Sequence, residues 1–202
     1  MTKGEIKKFG LNYSKVPIAE MQVTTGIPGV EVVSGSFEII KRATTSASQQ
    51  HQIFSADSEQ WAEWTEKRLA VLLYPNITRN FSESWQSFAY AQDVQSWSVL
   101  WRFANRVAGP IAMLAVNGKI KKKYGIKDER MELQVLLLEW TEALNGNTFL
   151  HGSQISIPDL LVYGVLKAIA GLDTFDFAMQ GNDVLRTWYL AVDYEVNKAK
   201  NK

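Results

Sequence analysis

The chain has 202 residues, of which 46% are hydrophobic and 21% charged, and its formal net charge is +1. This length allows one large or two small domains, and the near balance of charge excludes a global positive field that would attract nucleic acid. The chain contains no cysteine, which excludes disulfides, thiolate zinc sites and cysteine nucleophiles within it.

Residues 1–43 have the pattern of an α/β element. Two short apolar runs, Val16–Val23 and Val30–Val33, are typical of strands, and Gly26–Gly29 between them supplies turn residues. Together they predict a β-hairpin, followed by a helix that Ser34 or Ser36 caps and that ends near residue 43. Because two strands and one helix bury little apolar area, this element is expected to need a neighbour.

Residues 44–56 are polar and aperiodic, which predicts a linker. Residues 57–202 are expected to form one all-helical domain. Asp57 with Gln60 resembles a capping box at the start of its first helix, and Pro75-Asn76 is predicted to end that helix. Ser82 is predicted to begin the second helix.

The third helix is predicted from about Ser96 to Lys123, with a kink at Gly109-Pro110 because proline lacks the N–H and clashes with the preceding turn. Asp128 is predicted to begin the fourth helix and Asn145-Gly146 to end it. The two remaining helices are expected from Ser156 to Gly171 and from Val184 to Asn197.

The segment Ser156-Ile-Pro-Asp159 matches a capping box, in which the serine and the acid satisfy each other's backbone N–H groups. Pro158 suits a first helical turn, and the helix that follows is apolar from Leu160 to Leu166. A generic helix start has the same pattern. The combination resembles the folding motif of the helical domain of glutathione transferases.

A longer resemblance extends along the chain. Five segments resemble the membrane-associated prostaglandin E synthase type 2 family: Tyr13–Ile18, Trp61–Leu73, Asp159–Lys167, Gly171–Asp176 and Trp188–Leu190. This resemblance implies a glutathione-transferase-like helical bundle preceded by part of a thioredoxin-like half, with residues 1–43 corresponding to its third and fourth strands and the following helix. In that alignment Met1 falls after the turn where the family carries its Cys-x-x-Cys, so no catalytic residue is carried over.

The resemblance also implies a remnant of a glutathione site. Val16-Pro17 corresponds to the Val–cis-Pro pair whose backbone binds glutathione in such folds, so Pro17 is expected to be cis, although most X–Pro bonds are trans. Ser36 corresponds to the serine that binds the γ-glutamyl end, but Gly35 stands where the family has an acid. We expect at most a vestigial glutathione site, no bound cofactor, and no metal, because His51 and His151 lack ligand spacing.

Three surface features predict partners. The strand Val16–Met21 would lose its neighbour on one side if the leading strands are missing, and another chain is expected to cover that edge. The basic run Lys119–Lys123 suits the C-terminal end of a helix dipole, or it contacts anionic lipid headgroups or an acidic partner. Trp97 and Trp101 are either interface anchors or core residues.

These features predict a non-catalytic, glutathione-transferase-like accessory subunit of a larger assembly, with a mitochondrial inner-membrane complex of the respiratory-chain type as the preferred setting. The basic start, with Lys3, Lys7 and Lys8 against Glu5, is compatible with mitochondrial import. Two alternatives remain open. One is a glutathione-dependent isomerase or transferase whose nucleophilic half lies on another chain, and the other is a ligand-binding module that uses the groove between the half-sheet and the helices.

Overall fold

A computed structural model describes residues 17–23, 29–44, 56–89 and 98–200. The chain divides into two compact units, Met1–Glu59 and Gln60–Lys202. In the described parts of both units, no helix combines the length and apolar character that crossing a bilayer requires. The predicted linker, residues 44–56, lies almost wholly outside the described residues.

The first unit contains an antiparallel hairpin. Strand β1 (Ile18–Val23) pairs with strand β2 (Gly29–Ser34), and helix α1 (Ser36–Thr44) follows. Ion pairing joins α1 to the hairpin, since the Arg42 guanidinium donates to Glu31 at 2.5 Å. None of the described side chains in these three elements is fully buried and apolar, as expected for so small an element.

The second unit is helical. Among the described residues, the elements after α1 are, in chain order, α2 (Ser58–Trp64), a π-helical segment (Thr65–Leu69), α3 (Ala70–Ile77), α4 (Phe81–Ser87), α5 (Val99–Tyr124), α6 (Glu129–Ala143), α7 (Ile157–Lys167), α8 (Asp173–Met179) and α9 (Asp183–Lys200). The predicted fold class, mainly α with a helical bundle after two strands and one helix, is confirmed.

Several predicted helix boundaries are wrong, and the caps explain why. Helix α4 begins after Asn80 rather than at Ser82, because the Asn80 side chain accepts from the Glu83 N–H at 2.9 Å. Helix α5 begins after Ser98, whose hydroxyl accepts from the Trp101 N–H at 3.2 Å. Helix α7 ends four residues before the predicted Gly171.

Two prolines lie inside helices: α5 continues past Pro110 as predicted, and the kink there stays a prediction, whereas Pro75 was predicted to end its helix. Pro110 lies within α5, which continues to Tyr124, and Pro75 lies within α3, which continues to Ile77. The carbonyl groups around Pro75 have side-chain donors. Asn76 Nδ2 donates to the carbonyl of Leu72 at 2.8 Å, and Asn117 Nδ2 donates to that of Pro75 at 3.3 Å. These contacts satisfy backbone groups near the proline, which lacks a donor of its own.

The hydrophobic core lies in the helical unit. Every fully buried apolar side chain among the described residues lies between Ala62 and Val192. Its centre is aromatic: Trp140 packs edge-on against Trp61 and Trp188, with ring centroids 5.1 Å apart in both pairs. Such pairs add to the area burial of large rings, so α2, α6 and α9 are joined through one side chain.

Replacing Trp140 with alanine should lower the free energy of unfolding by roughly 3 to 5 kcal/mol, because the substitution leaves a large cavity in a packed core. Urea unfolding followed by circular dichroism measures this loss without relying on tryptophan fluorescence. Leu138→Ala is the matched control on the same helix, since Leu138 is 53% exposed and should change stability by about 0.5 kcal/mol or less. Equal effects of the two variants would contradict this account of the core.

Candidate functional site

The residues of the expected glutathione clamp lie at one end of the hairpin. Because Ile18 pairs with Ser34, Pro17 is brought beside Gly35, and the Pro17 carbonyl accepts from the Gly35 N–H at 3.0 Å. Gly35 has a φ of 95°, a conformation that glycine adopts without strain, and it directs the chain into α1. Pro17 and the start of α1 are therefore brought together.

Two features of that clamp remain predictions. Val16 lies outside the described residues, and with it the Val16–Pro17 peptide bond expected to be cis. Ser36 is the first residue of α1 and is exposed, with glycine where the resemblance places an acid. The described residues at this end of the hairpin provide a backbone carbonyl, a serine hydroxyl and the first turn of a helix. That combination offers polar groups to a ligand but no thiol.

The edge of β1 that faces away from β2 has no strand partner among the described residues. An edge strand presents unpaired N–H and C=O groups along its length. The expectation that another chain covers this edge stays a prediction.

In the helical unit, the Asp159 carboxylate is a buried hydrogen-bond acceptor. Ser156 is the N-cap of α7 and forms a capping box with Asp159. Asp159 Oδ2 accepts from the Ser156 N–H at 3.0 Å and from the Ser156 hydroxyl at 2.5 Å. Asp159 Oδ1 accepts from the Leu150 N–H at 3.0 Å and from the Trp188 indole N–H at 2.9 Å. All four contacts stabilise the fold, which makes this carboxylate a structural group.

A second polar cluster joins α7 to α9. The Tyr163 hydroxyl donates to Asp193 Oδ1 at 2.5 Å, and the Lys167 ammonium donates to the same oxygen at 2.8 Å. The hydrogen bonds from Lys167 and Tyr163 lower the pKa of Asp193 below its usual value. Burial, reinforced by the bond to Asp193, raises the pKa of Tyr163, which makes this hydroxyl a poor base at neutral pH.

A third cluster surrounds Glu83, which is buried in α4. Glu83 Oε1 accepts from Arg79, from Asn80 Nδ2 at 3.1 Å, and from Arg130 Nη2 at 3.0 Å. The Arg130 guanidinium also lies 4.4 Å from the centroid of the Phe177 ring. The cluster therefore joins α4, α6 and α8. No local pattern predicts the ion pair of this cluster with Arg130, because Arg130 lies 47 positions from Glu83 along the chain.

Two of the cavities that open on the described part of the helical unit lie beside α6 and beside α8, and a third, of about 380 Å³, lies between the end of α6 and the start of α9. One, of about 350 Å³, lies between the π-helical segment and α6 and is lined by Val71, Leu136 and Val135 with Lys67 and Arg68 at its rim. Both cations are paired with carboxylates of their own unit. The other, of about 700 Å³, is a wide opening beside α8 and α9.

The described residues contain no group of three or more His, Asp or Glu side chains that could hold a metal ion. His151 Nδ1 lies 3.3 Å from the Ser156 hydroxyl, and His51 lies outside the described residues.

In the basic run at the end of α5, Lys121 forms an ion pair and the other three lysines are exposed. Lys121 pairs with Glu129, which fixes this end of α5 to the start of α6. Lys119, Lys122 and Lys123 are exposed, and the helix then ends at Gly125 in the left-handed conformation. Trp101 at the other end of α5 is exposed rather than packed in the core, and Trp97 lies outside the described residues.

Comparisons with known proteins place the chain near one group of enzymes. Prostaglandin E synthase 2 of Mus musculus is 27% identical over 141 residues, which cover 69% of this chain and 36% of that protein. Prostaglandin E synthase 2 of Danio rerio is 30% identical over 131 residues, which cover 64% and 34%. No protein-family model matches the chain. The chain spans about a third of the length of these curated relatives, and the similarity supports a prostaglandin E synthase 2-like, glutathione-transferase-like family.

Asp159→Asn should lower the free energy of unfolding by about 3 kcal/mol, because an amide nitrogen would replace one carboxylate oxygen and face buried N–H and O–H donors without an acceptor. Chemical unfolding measures the loss. The control is Asp176→Asn on exposed α8 surface, expected to change stability by about 0.5 kcal/mol or less. A tolerated Asp159→Asn would show that the carboxylate does not hold the fold.

The pH dependence of stability in an Asp193→Asn variant tests the polar cluster that joins α7 to α9. Because the pKa of Asp193 is lower in the folded chain than its usual value, its carboxylate stabilises the fold above pH about 4 and loses this effect as the pH falls further. The variant should therefore be less stable than the wild type at pH 7, and the gap should close in acid. Asp183→Asn, at a side chain that is 94% exposed, should follow the wild type at every pH in thermal unfolding. A gap that stays constant into acid would contradict the assignment.

Proposed function

We propose that this chain is a non-catalytic, glutathione-transferase-like accessory subunit of a larger assembly. The observation that carries the proposal is a conflict between similarity and chemistry. The chain resembles proteins named as synthases, yet its residues include no cysteine, and the buried carboxylates of Asp159 and Glu83 accept hydrogen bonds that join helices. A scaffold that retains the helical bundle without a nucleophile suits binding to other subunits better than turnover.

The setting proposed for the assembly is the mitochondrial inner membrane, in a complex of the respiratory-chain type. The basic, acid-poor start of the chain supports import, and the relationship to the membrane-associated synthase family supports proximity to a membrane. The open edge of β1 would be covered by a strand or loop of a neighbouring subunit, because strand addition is a common way for an exposed sheet edge to be paired.

The alternative is a glutathione-dependent isomerase or transferase whose nucleophilic half lies on another chain. The observation in its favour is that Pro17 lies beside Gly35 and Ser36 at the end of the hairpin, where such an enzyme would bind glutathione. The Pro17 carbonyl is already bonded to the Gly35 N–H, and the acid of the family's clamp is replaced by glycine. We therefore favour the subunit over the enzyme.

Titration calorimetry of the purified chain with glutathione separates the two. The subunit proposal expects no binding heat and no conjugation of an electrophilic substrate. Tight binding that Ser36→Ala weakens at least about tenfold, the loss of one good polar contact, would favour the enzyme and overturn the subunit proposal.

The assembly is tested by the native mass of the chain after mild detergent extraction of mitochondria. The proposal expects migration far above the 22.8 kDa of the chain, together with membrane-complex subunits. Recovery only as a monomer of that mass would overturn the assembly.

A further inference from the structure

Helix α5 has a charge distribution unlike that of the other long helices. Its 26 residues include no aspartate or glutamate, and its charged side chains are all basic: Arg102, Arg106, Lys119, Lys121, Lys122 and Lys123. Arg106 lies over the Trp85 ring at 4.1 Å, and Lys121 pairs with Glu129. Lys119 and Lys122 have no acidic partner in the described part of the chain and lie exposed in the last turns.

The face of α5 that points away from the bundle is apolar over most of its length. The buried residues of α5, Pro110 and Asn117, lie on the side that packs against α3 and α4. About a quarter turn from that side, Leu100 is 79% exposed and Ile111 is 56% exposed. On the side opposite Pro110, the alanines at positions 108, 112 and 115 are exposed. At about 100° per residue, Lys119 and Lys122 continue the same face.

The first turn of α5 is apolar on several sides. Val99, Leu100, Trp101 and Phe103 are all exposed, with Phe103 at 68%. Successive side chains of a helix point about 100° apart, so these four do not share one face. A partner helix or a flat protein surface reaches only one side of such a turn. A fluid phase surrounds all of them, which favours a lipid occupant over a protein.

We propose that α5 binds an anionic membrane surface, lying in the interface with its exposed apolar face toward the acyl chains and Lys119 and Lys122 at the headgroups. Interfacial helices combine aromatic and aliphatic side chains on one face with lysine or arginine near the headgroups, and juxtamembrane cations attract anionic lipids. About 28 Å separates Leu100 from Lys119 along the helix, which gives the contact length. The inference rests on the proposed function only in placing the chain at a membrane.

Flotation of the purified full chain with vesicles tests the proposal. The probe is phosphatidylcholine vesicles containing about a third phosphatidylglycerol, a strongly anionic surface, with pure phosphatidylcholine as the neutral comparison. We expect binding to the anionic vesicles that weakens as salt is added. Lys119→Gln with Lys122→Gln should weaken it about 30-fold, since each lysine near an anionic surface contributes about a fivefold factor.

The apolar part of the surface has its own variant and control. Leu100→Ser with Phe103→Ser should weaken vesicle binding at least about tenfold, because two large side chains would no longer leave water. Val184→Ser with Leu190→Ser removes the same number of large exposed side chains from α9, at 53% and 60% exposure, and should bind like the wild type. Circular dichroism checks that each variant is folded, and the lysine variant alters only exposed side chains.

The absence of cysteine makes a position-specific readout available. A fluorescent nitrobenzoxadiazole label on Ala108→Cys should become brighter with anionic vesicles, because it enters an apolar environment, whereas the same label on Val184→Cys should not. Failure to bind anionic vesicles, equal binding by all variants, or a dimer that the Leu100 and Phe103 changes dissociate would overturn the proposal. Vesicle binding by a chain that also binds glutathione tightly would leave the membrane surface standing and remove only the subunit role.

Discussion

The helical unit depends on the burial of the Asp159 carboxylate at the start of α7. A buried carboxylate is costly unless its oxygens are hydrogen-bonded, and here the donors come from three places: Ser156 in the cap, the backbone of Leu150 in the preceding loop, and the Trp188 indole on α9. Trp188 in turn packs against Trp140. One acid thus sets the direction of α7 and aligns the aromatic core, and its burial is possible only because the other helices surround it.

Two other carboxylates of the helical unit also accept several hydrogen bonds. Glu83 and Asp193 each have donors from more than one residue, so these polar groups hold helices together. The unusual distribution of charge lies instead on the surface, on helix α5. Helices α6 and α9 have side chains of both charges, whereas every charged side chain of α5 is a cation and its exposed side is largely apolar. These two features of α5 support the membrane contact proposed above, and they do so without any property of the hairpin unit.

Local signals were sufficient at two helix boundaries. The capping box at Ser156 and the left-handed pair Asn145 and Gly146 after α6 lie where the sequence places them. Short or unusual elements were missed. Helix α8 has seven residues and no side-chain cap, and the π-helical segment has no composition that distinguishes it from an α-helix. The cluster at Glu83 joins residues 47 positions apart, a pairing that no local pattern encodes.

The sequence by itself determined the fold class, the capping of α7, the absence of a thiol among these residues and the similarity to proteins named as synthases, because each of these depends on residue type and short-range spacing. The tertiary structure alone decided which side chains are exposed. Trp101 and Trp140 have the same chemistry and lie on helices of similar pattern, yet one is in solvent and the other is the centre of the core. Burial depends on which faces meet when the helices pack, and that is a property of the assembled bundle.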